Sequence, residues 1–128
     1  MAREKKKAII VDVNKTILKD KVNPIQNVID FVNAKFDDGY KVFLISGSHS
    51  ARLRVMRIAL ARCGVKYHDL TLNDEGKLLD HEYKKKYVKK TMQYYDVELV
   101  VDNNEEHLKS IATLGVATAA PEDISEYI

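Results

Sequence analysis

The sequence predicts an α/β domain built on a doubly wound, mostly parallel sheet of about five strands. Short apolar runs alternate with amphipathic helical patterns along the whole chain. The run at 8–13 is almost wholly apolar, as in strands that are covered on both faces. The 128 residues include only 5 glycines and 2 prolines, so no linker is evident and residues 1–128 are expected to form one domain.

Five short runs have the length and composition of β-strands. They are the segments 8–13, 41–45, 67–72, 97–101 and 116–119. A turn is predicted at 73–77, where the sequence reads NDEGK. The segment 121–128 is predicted to be a tail or a final turn.

Four helices are predicted between these strands. They run from Pro24 to Gly39 and over 50–63, 80–94 and 104–114. Proline is favoured in the first turn of a helix, and glycine is favoured just after the last turn. Apolar residues of the first helix recur at helical spacing, at Ile25, Val28, Ile29, Val32 and Phe36. The alternation of strands and helices indicates a three-layer, Rossmann-like architecture.

Composition excludes several classes of protein. The formal net charge is only +2, so overall charge gives no argument for nucleic-acid binding. The single cysteine, Cys63, is interpreted as a core residue that forms no intramolecular disulfide, which suits a reducing cytoplasm. No apolar run approaches the length of a membrane span, so no membrane partner is expected. The 4 histidines lack the spacing of zinc ligands.

Polar residues stand at the carboxyl ends of three predicted strands. They are Asp12, Asn14 and Thr16 after the first strand, Ser46 and Gly47 after the second, and Asp102 and Asn103 after the fourth. Ligands of parallel sheets bind at these strand ends. If the first and fourth strands are neighbours, the carboxylates of Asp12 and Asp102 form a pair of hard oxygen ligands that suits Mg²⁺. Alternatively, the two aspartates only cap helices or close turns.

Four segments, in order, resemble the motifs of the haloacid dehalogenase (HAD) superfamily of phosphotransferases. They are Asp12-Val13-Asn14-Lys15-Thr16, Ser46 in LISGS, Lys84 in DHEYKKKYVKK, and Asp102-Asn103 with Glu106 beyond. The resemblance covers about the whole chain. Within the superfamily, the segments ISG, DHEYK and VELVVDN are most similar to the phosphatase domains of bacteriophage polynucleotide kinases.

The resemblance implies a HAD-like fold and a Mg²⁺-dependent phosphomonoesterase. Asp12 would be the nucleophile that forms an aspartyl-phosphate. The candidate Mg²⁺ ligands are Asp12, the backbone carbonyl of Asn14, Asp102, Asn103 and Glu106. The superfamily motif reads Asp-x-Asp-x-Thr, and its second aspartate is the general acid/base. Asn14 stands there in this chain and cannot transfer a proton, so weakened activity is expected.

The resemblance also implies the residues that contact substrate. Ser46 and Lys84 would hold phosphate oxygens by a hydrogen bond and a point charge. The further candidates for substrate binding are Thr16, Gly47, His49 and Arg52. The loops that carry a cap domain in many family members are too short here, so the site is expected to be capless and open. An open site suits a bulky substrate such as a phosphorylated nucleic-acid end or a nucleotide.

Three alternatives remain at the level of sequence. The chain could be a catalytically impaired relative that binds phosphate, nucleic acid or a protein partner. It could be a phosphoacceptor receiver domain, although a receiver needs an acidic pair after its first strand, and only Asp12 stands there. The lysines of the helix at 80–94 could contact nucleic acid or, apart from Lys84, form a solvated face.

Overall fold

The computed structural model describes residues 5–20, 23–73 and 80–127, and these contain a five-stranded sheet in which all strands are parallel. The strand order is β3-β2-β1-β4-β5. The strands are β1 (Lys7–Asp12), β2 (Lys41–Ser46), β3 (Asp69–Leu72), β4 (Asp96–Val101) and β5 (Thr118–Ala119). The predicted parallel α/β sheet is therefore confirmed, with each strand end within a few residues of its prediction.

Four α-helices connect these strands, as the sequence predicted. They are α1 (Gln26–Asp37), α2 (Leu53–Arg62), α3 (Asp80–Met92) and α4 (Glu105–Ala112). Single 3₁₀ segments precede α2 at Ser50–Arg52 and end the described chain at Pro121–Tyr127. The turn predicted at 73–77 falls mostly on residues 74–79, outside the described residues. No helix within the described ranges is long and apolar enough to cross a membrane.

Helix α1 begins two residues later than Pro24, where the sequence placed its start. Ile25 has an extended backbone (φ −100°, ψ 93°), and its N–H donates to the carbonyl of Ile17 at 2.7 Å. Leu18 forms an antiparallel bridge with Pro24. The returning loop thus holds this segment extended, and helical geometry begins only beyond it.

The sheet separates two apolar cores, because successive strand residues point to opposite faces. Ile9 and Val11 of β1 pack in the cluster that contains α1 and α2 residues such as Phe31 and Leu60. Ile10 packs in the other cluster, with Val88 of α3 and Ile111 of α4. Cys63 is half-buried and packs against the first core, where the sequence placed it.

The strands that follow β1 in the chain are added first on one side of it and then on the other. The strands β1, β2 and β3 extend the sheet one way, and β4 then pairs with the free side of β1. The carboxyl ends of β1 and β4 therefore flank a topological switch point, where parallel sheets form their ligand sites. This arrangement brings the segments after Asp12 and Val101 together.

Candidate active site

Asp12 is the last residue of β1 and lies buried at the switch point, with 3% of its surface exposed. Asp12 lies two residues after Ile10 in the strand, so the two side chains point to the same face of the sheet, which α3 and α4 cover. A tight loop follows, in which the carbonyl of Val13 accepts hydrogen bonds from three successive backbone N–H groups, those of Thr16, Ile17 and Leu18. This loop directs Thr16 Oγ1 back to Asp12 Oδ2, to which it donates at 3.0 Å.

Lys84 places a buried ammonium group between two carboxylates. Its Nζ lies 3.1 Å from Asp12 Oδ1 and 2.7 Å from Asp102 Oδ2. Lys84 stands one helical turn before Val88, which is buried in the core, so helix geometry carries the lysine to the carboxyl end of the sheet. The ammonium group of Lys84 is therefore shared by both acids of the site.

The pKa values of this cluster reflect burial and mutual charge. Burial opposes the charged form of Lys84, but the carboxylates of Asp12 and Asp102 outweigh it and raise the pKa of Lys84. Burial, followed by the charge of Asp102, raises the pKa of Asp12 to about 7, although Lys84 and Thr16 act in the opposite direction. The Asp12 carboxylate is therefore destabilised by its site, and an added cation would favour it.

Asp102 uses both of its oxygens on protein groups. Oδ2 accepts from Lys84, and Oδ1 accepts from the backbone N–H of Asn104 at 2.9 Å. The ring of His107 completes this side of the cluster, because its Nδ1 lies 3.1 Å from Lys84 Nζ. Asp102 and His107 thus position the lysine that faces Asp12.

Asn103, rather than Asp102, directs its side chain at the oxygens of the first motif. In the orientation that satisfies its neighbours, its amide nitrogen donates to Asp12 Oδ2 and to the backbone carbonyl of Asn14, each at 3.2 Å. Glu106, also a predicted ligand, lies exposed on the first turn of α4. Among the described residues, no group of three or more His, Cys, Asp and Glu side chains is arranged to hold a metal ion.

The oxygens around Asn103 nevertheless fit Mg²⁺. The Asp12 carboxylate, the Asn14 carbonyl and the amide oxygen of a rotated Asn103 are hard oxygen donors of the kind that Mg²⁺ prefers. Only one of these three groups has a full negative charge. A Mg²⁺ ion at this point would therefore be held less strongly than by a pair of carboxylates.

Ser46 forms a hydrogen bond with Asn14, the residue that differs from the superfamily motif. Its Oγ donates to Asn14 Oδ1 and accepts from the backbone N–H of Ser48 at 3.1 Å. Lys15, between Asn14 and Thr16, has a left-handed backbone with φ 59°. The hydrogen bond from Ser46 thus holds the Asn14 side chain at the carboxyl end of β2.

Solved structures with this arrangement of strands and helices include a chain of an RNA repair complex and two phosphatases. A chain of the Pnkp1/Rnl/Hen1 RNA repair complex superposes with a TM-score of 0.81 at 22% identity, over 93% of this chain. The class C acid phosphatase from Bacillus anthracis gives 0.68 at 17% identity, covering 98% of this chain and 72% of its own. The D,D-heptose 1.7-bisphosphate phosphatase from B. bronchiseptica, complexed with magnesium and phosphate, gives 0.59 at 17% identity, covering 88% of this chain and 78% of its own.

The chain has the fold of the HAD phosphatases. The resemblance inferred from the motifs is confirmed at the level of the fold. The HAD-like chain spans 44% of the length of the RNA repair chain that it matches. Neither a scan against protein-family models nor a search of curated proteins gave a match.

A cavity of about 200 Å³ opens onto Asp12 in this HAD-like fold. It is lined by Asp12, Asn14, Lys15, Gly47, Ser48, Lys84, Asn103, Asn104 and His107. Five of these residues were site candidates in the sequence. Thr16 is instead fully buried behind Asp12, and the Nδ1 of His49 accepts from the N–H of Ala51 at the start of the 3₁₀ turn. Arg52 lines a neighbouring cavity.

Four lining residues were missed by sequence reasoning. Lys15, Ser48 and Asn104 adjoin motif residues, so a wider window around each motif would have included them. His107 was set aside because the histidines lack zinc spacing, but it lies one residue after Glu106 on α4. The sequence did contain a signal for His107. It lies in the first turn of a predicted helix that begins just after a strand end, where ligand sites form.

Proposed function

We propose that the chain is a phosphomonoesterase that transfers a phosphoryl group to Asp12. The observation that supports this most directly is the position of Lys84, whose ammonium bridges Asp12 and Asp102 beside an open cavity at the switch point. Such a cation can hold a phosphate oxygen while the adjacent carboxylate attacks phosphorus. The HAD phosphatase fold supports the same reaction class.

The reaction divides into two steps. A carboxylate oxygen of Asp12 forms a bond to phosphorus as the bond between phosphorus and the leaving oxygen breaks, which gives an aspartyl-phosphate and an alkoxide that takes a proton. Water then attacks phosphorus and loses a proton as the bond between phosphorus and the Asp12 oxygen breaks, which releases phosphate and restores the Asp12 carboxylate. Asn14 has no acidic proton to give and cannot accept one from water. Both proton transfers therefore fall to solvent, which makes each step slow.

Mg²⁺ is part of this proposal, with Asp12, the Asn14 carbonyl and Asn103 as its protein ligands. Once bound, it would offset negative charge on the phosphate and on the attacking carboxylate. Asp102 was predicted from sequence as a ligand, but both of its oxygens contact protein donors. We therefore assign Asp102 the role of holding Lys84.

The proposed substrate is a phosphorylated nucleic-acid end or a nucleotide. The site opens directly to solvent through the cavity at Asp12, and no cap domain is present among the described residues. The similar chain in the Pnkp1/Rnl/Hen1 RNA repair complex supports a nucleic-acid substrate.

The absence of any possible intramolecular disulfide in a chain with one cysteine supports a cytoplasmic location.

Two observations favour a second function, the binding of phosphate without turnover. Asn14 replaces the acid/base, and the Asn103 amide nitrogen donates to the oxygens that would face a cation. A site of this kind could bind a phosphorylated partner and leave it intact.

Trapping of the aspartyl-phosphate distinguishes the two functions. An oligonucleotide with a ³²P-labelled 3′-phosphate is incubated with the protein and Mg²⁺, and the acid-quenched protein is tested for label that hydroxylamine releases. The native chain should become labelled, because Asn14 slows the second step, and Asp12→Asn should not. Equal labelling of both proteins contradicts catalysis at Asp12. In that case, calorimetry with inorganic phosphate tests the binding function.

A further inference from the structure

A second cavity, of about 340 Å³, adjoins the candidate active site. Its lining consists of Asn14, Lys15, Leu18, Lys19, Asp20, Arg52, Val55 and Met56. Asn14 and Lys15 also line the cavity that contains Asp12 and Lys84, so the two cavities meet at the loop after β1. A group that is attached to a phosphate beside Asp12 can therefore extend into the second cavity.

The lining of this second cavity combines apolar side chains with cationic side chains at the rim. Leu18 and Met56 are buried, and Val55 of α2 is 59% exposed. Three cationic side chains, Lys15, Lys19 and Arg52, accompany one carboxylate, that of Asp20. Asp20 accepts hydrogen bonds from the backbone N–H and the side chain of Asn23. The cavity thus offers apolar contact together with excess positive charge.

We propose that this cavity binds the terminal nucleoside of a single-stranded nucleic acid whose end phosphate lies at Asp12. The inference builds on the proposed function and assigns its substrate a second binding site. The faces of a base would pack on Leu18, Val55 and Met56. The next phosphodiester of the strand would lie near Lys15, Lys19 and Arg52, where its charge is neutralised.

The chemistry of the cavity disfavours other phosphate esters. A sugar phosphate would place hydroxyl groups against Leu18 and Met56, where they lose water without gaining hydrogen bonds. A simple aliphatic phosphate has no second anion for the three cations at the rim. A volume of about 340 Å³ is at the low end of the range for small-molecule sites, which suits one nucleoside.

The test compares binding by paired variants in an Asp12→Asn background, which separates binding from catalysis. Fluorescence anisotropy gives the affinity for a short single-stranded oligonucleotide with a 3′-phosphate. Val55→Asp and Arg52→Ala should each weaken binding about tenfold or more. Ile58→Asp and Arg57→Ala are the matched controls, because both residues are exposed on α2 and neither lines the cavity. The controls should change affinity less than twofold.

A second probe is the same oligonucleotide with an abasic sugar at its 3′ end, in which a hydrogen atom replaces the terminal base. It should bind the background protein about tenfold more weakly than the complete oligonucleotide, and Val55→Asp should remove most of that difference. Equal affinities for the two probes, or equal effects of Val55→Asp and Ile58→Asp, would overturn the proposal. These outcomes are independent of phosphoryl transfer, which the trapping experiment on Asp12 tests separately.

Discussion

Asn103 donates a hydrogen bond from its amide nitrogen to Oδ2 of Asp12, across 3.2 Å. The same nitrogen donates to the backbone carbonyl of Asn14. An N–H donor thus faces the two oxygens that are best placed to bind a cation. Binding of Mg²⁺ at these oxygens would require the amide to rotate and present its oxygen, and this rotation gives up two hydrogen bonds.

Asn103→Asp should therefore strengthen Mg²⁺ binding about tenfold or more. A carboxylate has no N–H hydrogen bonds to lose when the ion binds, and it adds a negative charge. Isothermal titration calorimetry measures this. Without Mg²⁺ the variant should unfold at a lower temperature than the native chain, because the new carboxylate faces that of Asp12. Glu106→Gln is the control and should leave Mg²⁺ affinity unchanged, since Glu106 does not line the cavity at Asp12. Unchanged affinity in Asn103→Asp would contradict the assignment of ligands.

Asn14→Asp should increase turnover of alkyl phosphomonoesters, because it restores a group that can transfer a proton. General acid–base catalysis contributes about 10²–10⁴ in rate, so a gain of about tenfold or more is expected with a 3′-phosphorylated oligonucleotide. The gain in the first step should be small with p-nitrophenyl phosphate, whose leaving group departs without a proton. Burst kinetics on both substrates measure this difference. A site that hydrolyses neither substrate after the substitution would favour the binding function.

Lys84→Met should reduce stability and weaken phosphate binding together. The substitution leaves Asp12 and Asp102 buried without their cation, and breaking a buried ion pair costs about 3–5 kcal/mol. Lys89→Met, on the exposed part of the same helix, should have little effect on either property. Urea unfolding and calorimetry with inorganic phosphate measure the two properties. Equal effects of the two substitutions would mean that α3 acts only as a diffuse basic face.

The main features of the fold could be predicted because they follow from local patterns. The near-continuous apolar run that contains Ile9 and Ile10 indicated a strand covered on both faces, and it is one. Element ends were less predictable, because tertiary contacts set them. The hydrogen bond from Ile25 to Ile17 delays the start of α1, although Pro24 is a good first-turn residue.

Part of the composition of the site was predictable, but the roles of its residues were not. Asp12 and Lys84 were selected from sequence, and the structure brings them into contact. The sequence could not distinguish Asp102 from Asn103 as the residue that faces Asp12. That choice depends on how the chain turns after β4, where the Asn104 N–H holds Asp102 toward Lys84.

His68 should make a contribution to stability that increases with pH between about 5 and 7, opposite in sign to the contribution of Asp12, whose pKa is raised. Burial lowers the pKa of His68, and the charge of Lys41 contributes. Its Nδ1 accepts the N–H of Val42 at 3.0 Å, so the folded state favours the neutral ring. Below the ordinary histidine pKa of 6.5, the unfolded chain then binds more protons than the folded chain, and acid favours unfolding. The change in melting temperature from pH 5 to pH 7.5 should be less positive for His68→Gln than for the native protein. An identical pH dependence would rule out this role.

Lys15→Gly should stabilise the loop after β1, because Lys15 has a φ of 59° in the left-handed region. A side chain there costs about 1–2 kcal/mol, part of which is offset by the greater freedom of glycine in the unfolded chain. A net gain of up to about 1 kcal/mol is expected from denaturant unfolding. Lys19→Gly is the comparison, since Lys19 lies in the same loop without a positive φ, and it should not stabilise. A loss of stability in Lys15→Gly would show that the lysine side chain makes stabilising contacts.

The position of β1 has a consequence for how the chain is synthesised. It leaves the ribosome before the other four strands of this sheet, and one of its two partners, β4, follows only after β2 and β3. Until β4 arrives, one side of β1 presents unpaired backbone groups on an apolar strand, and such an edge is prone to associate with other chains. The fully assembled cluster of Asp12, Lys84 and Asp102 therefore also indicates that this edge has been closed.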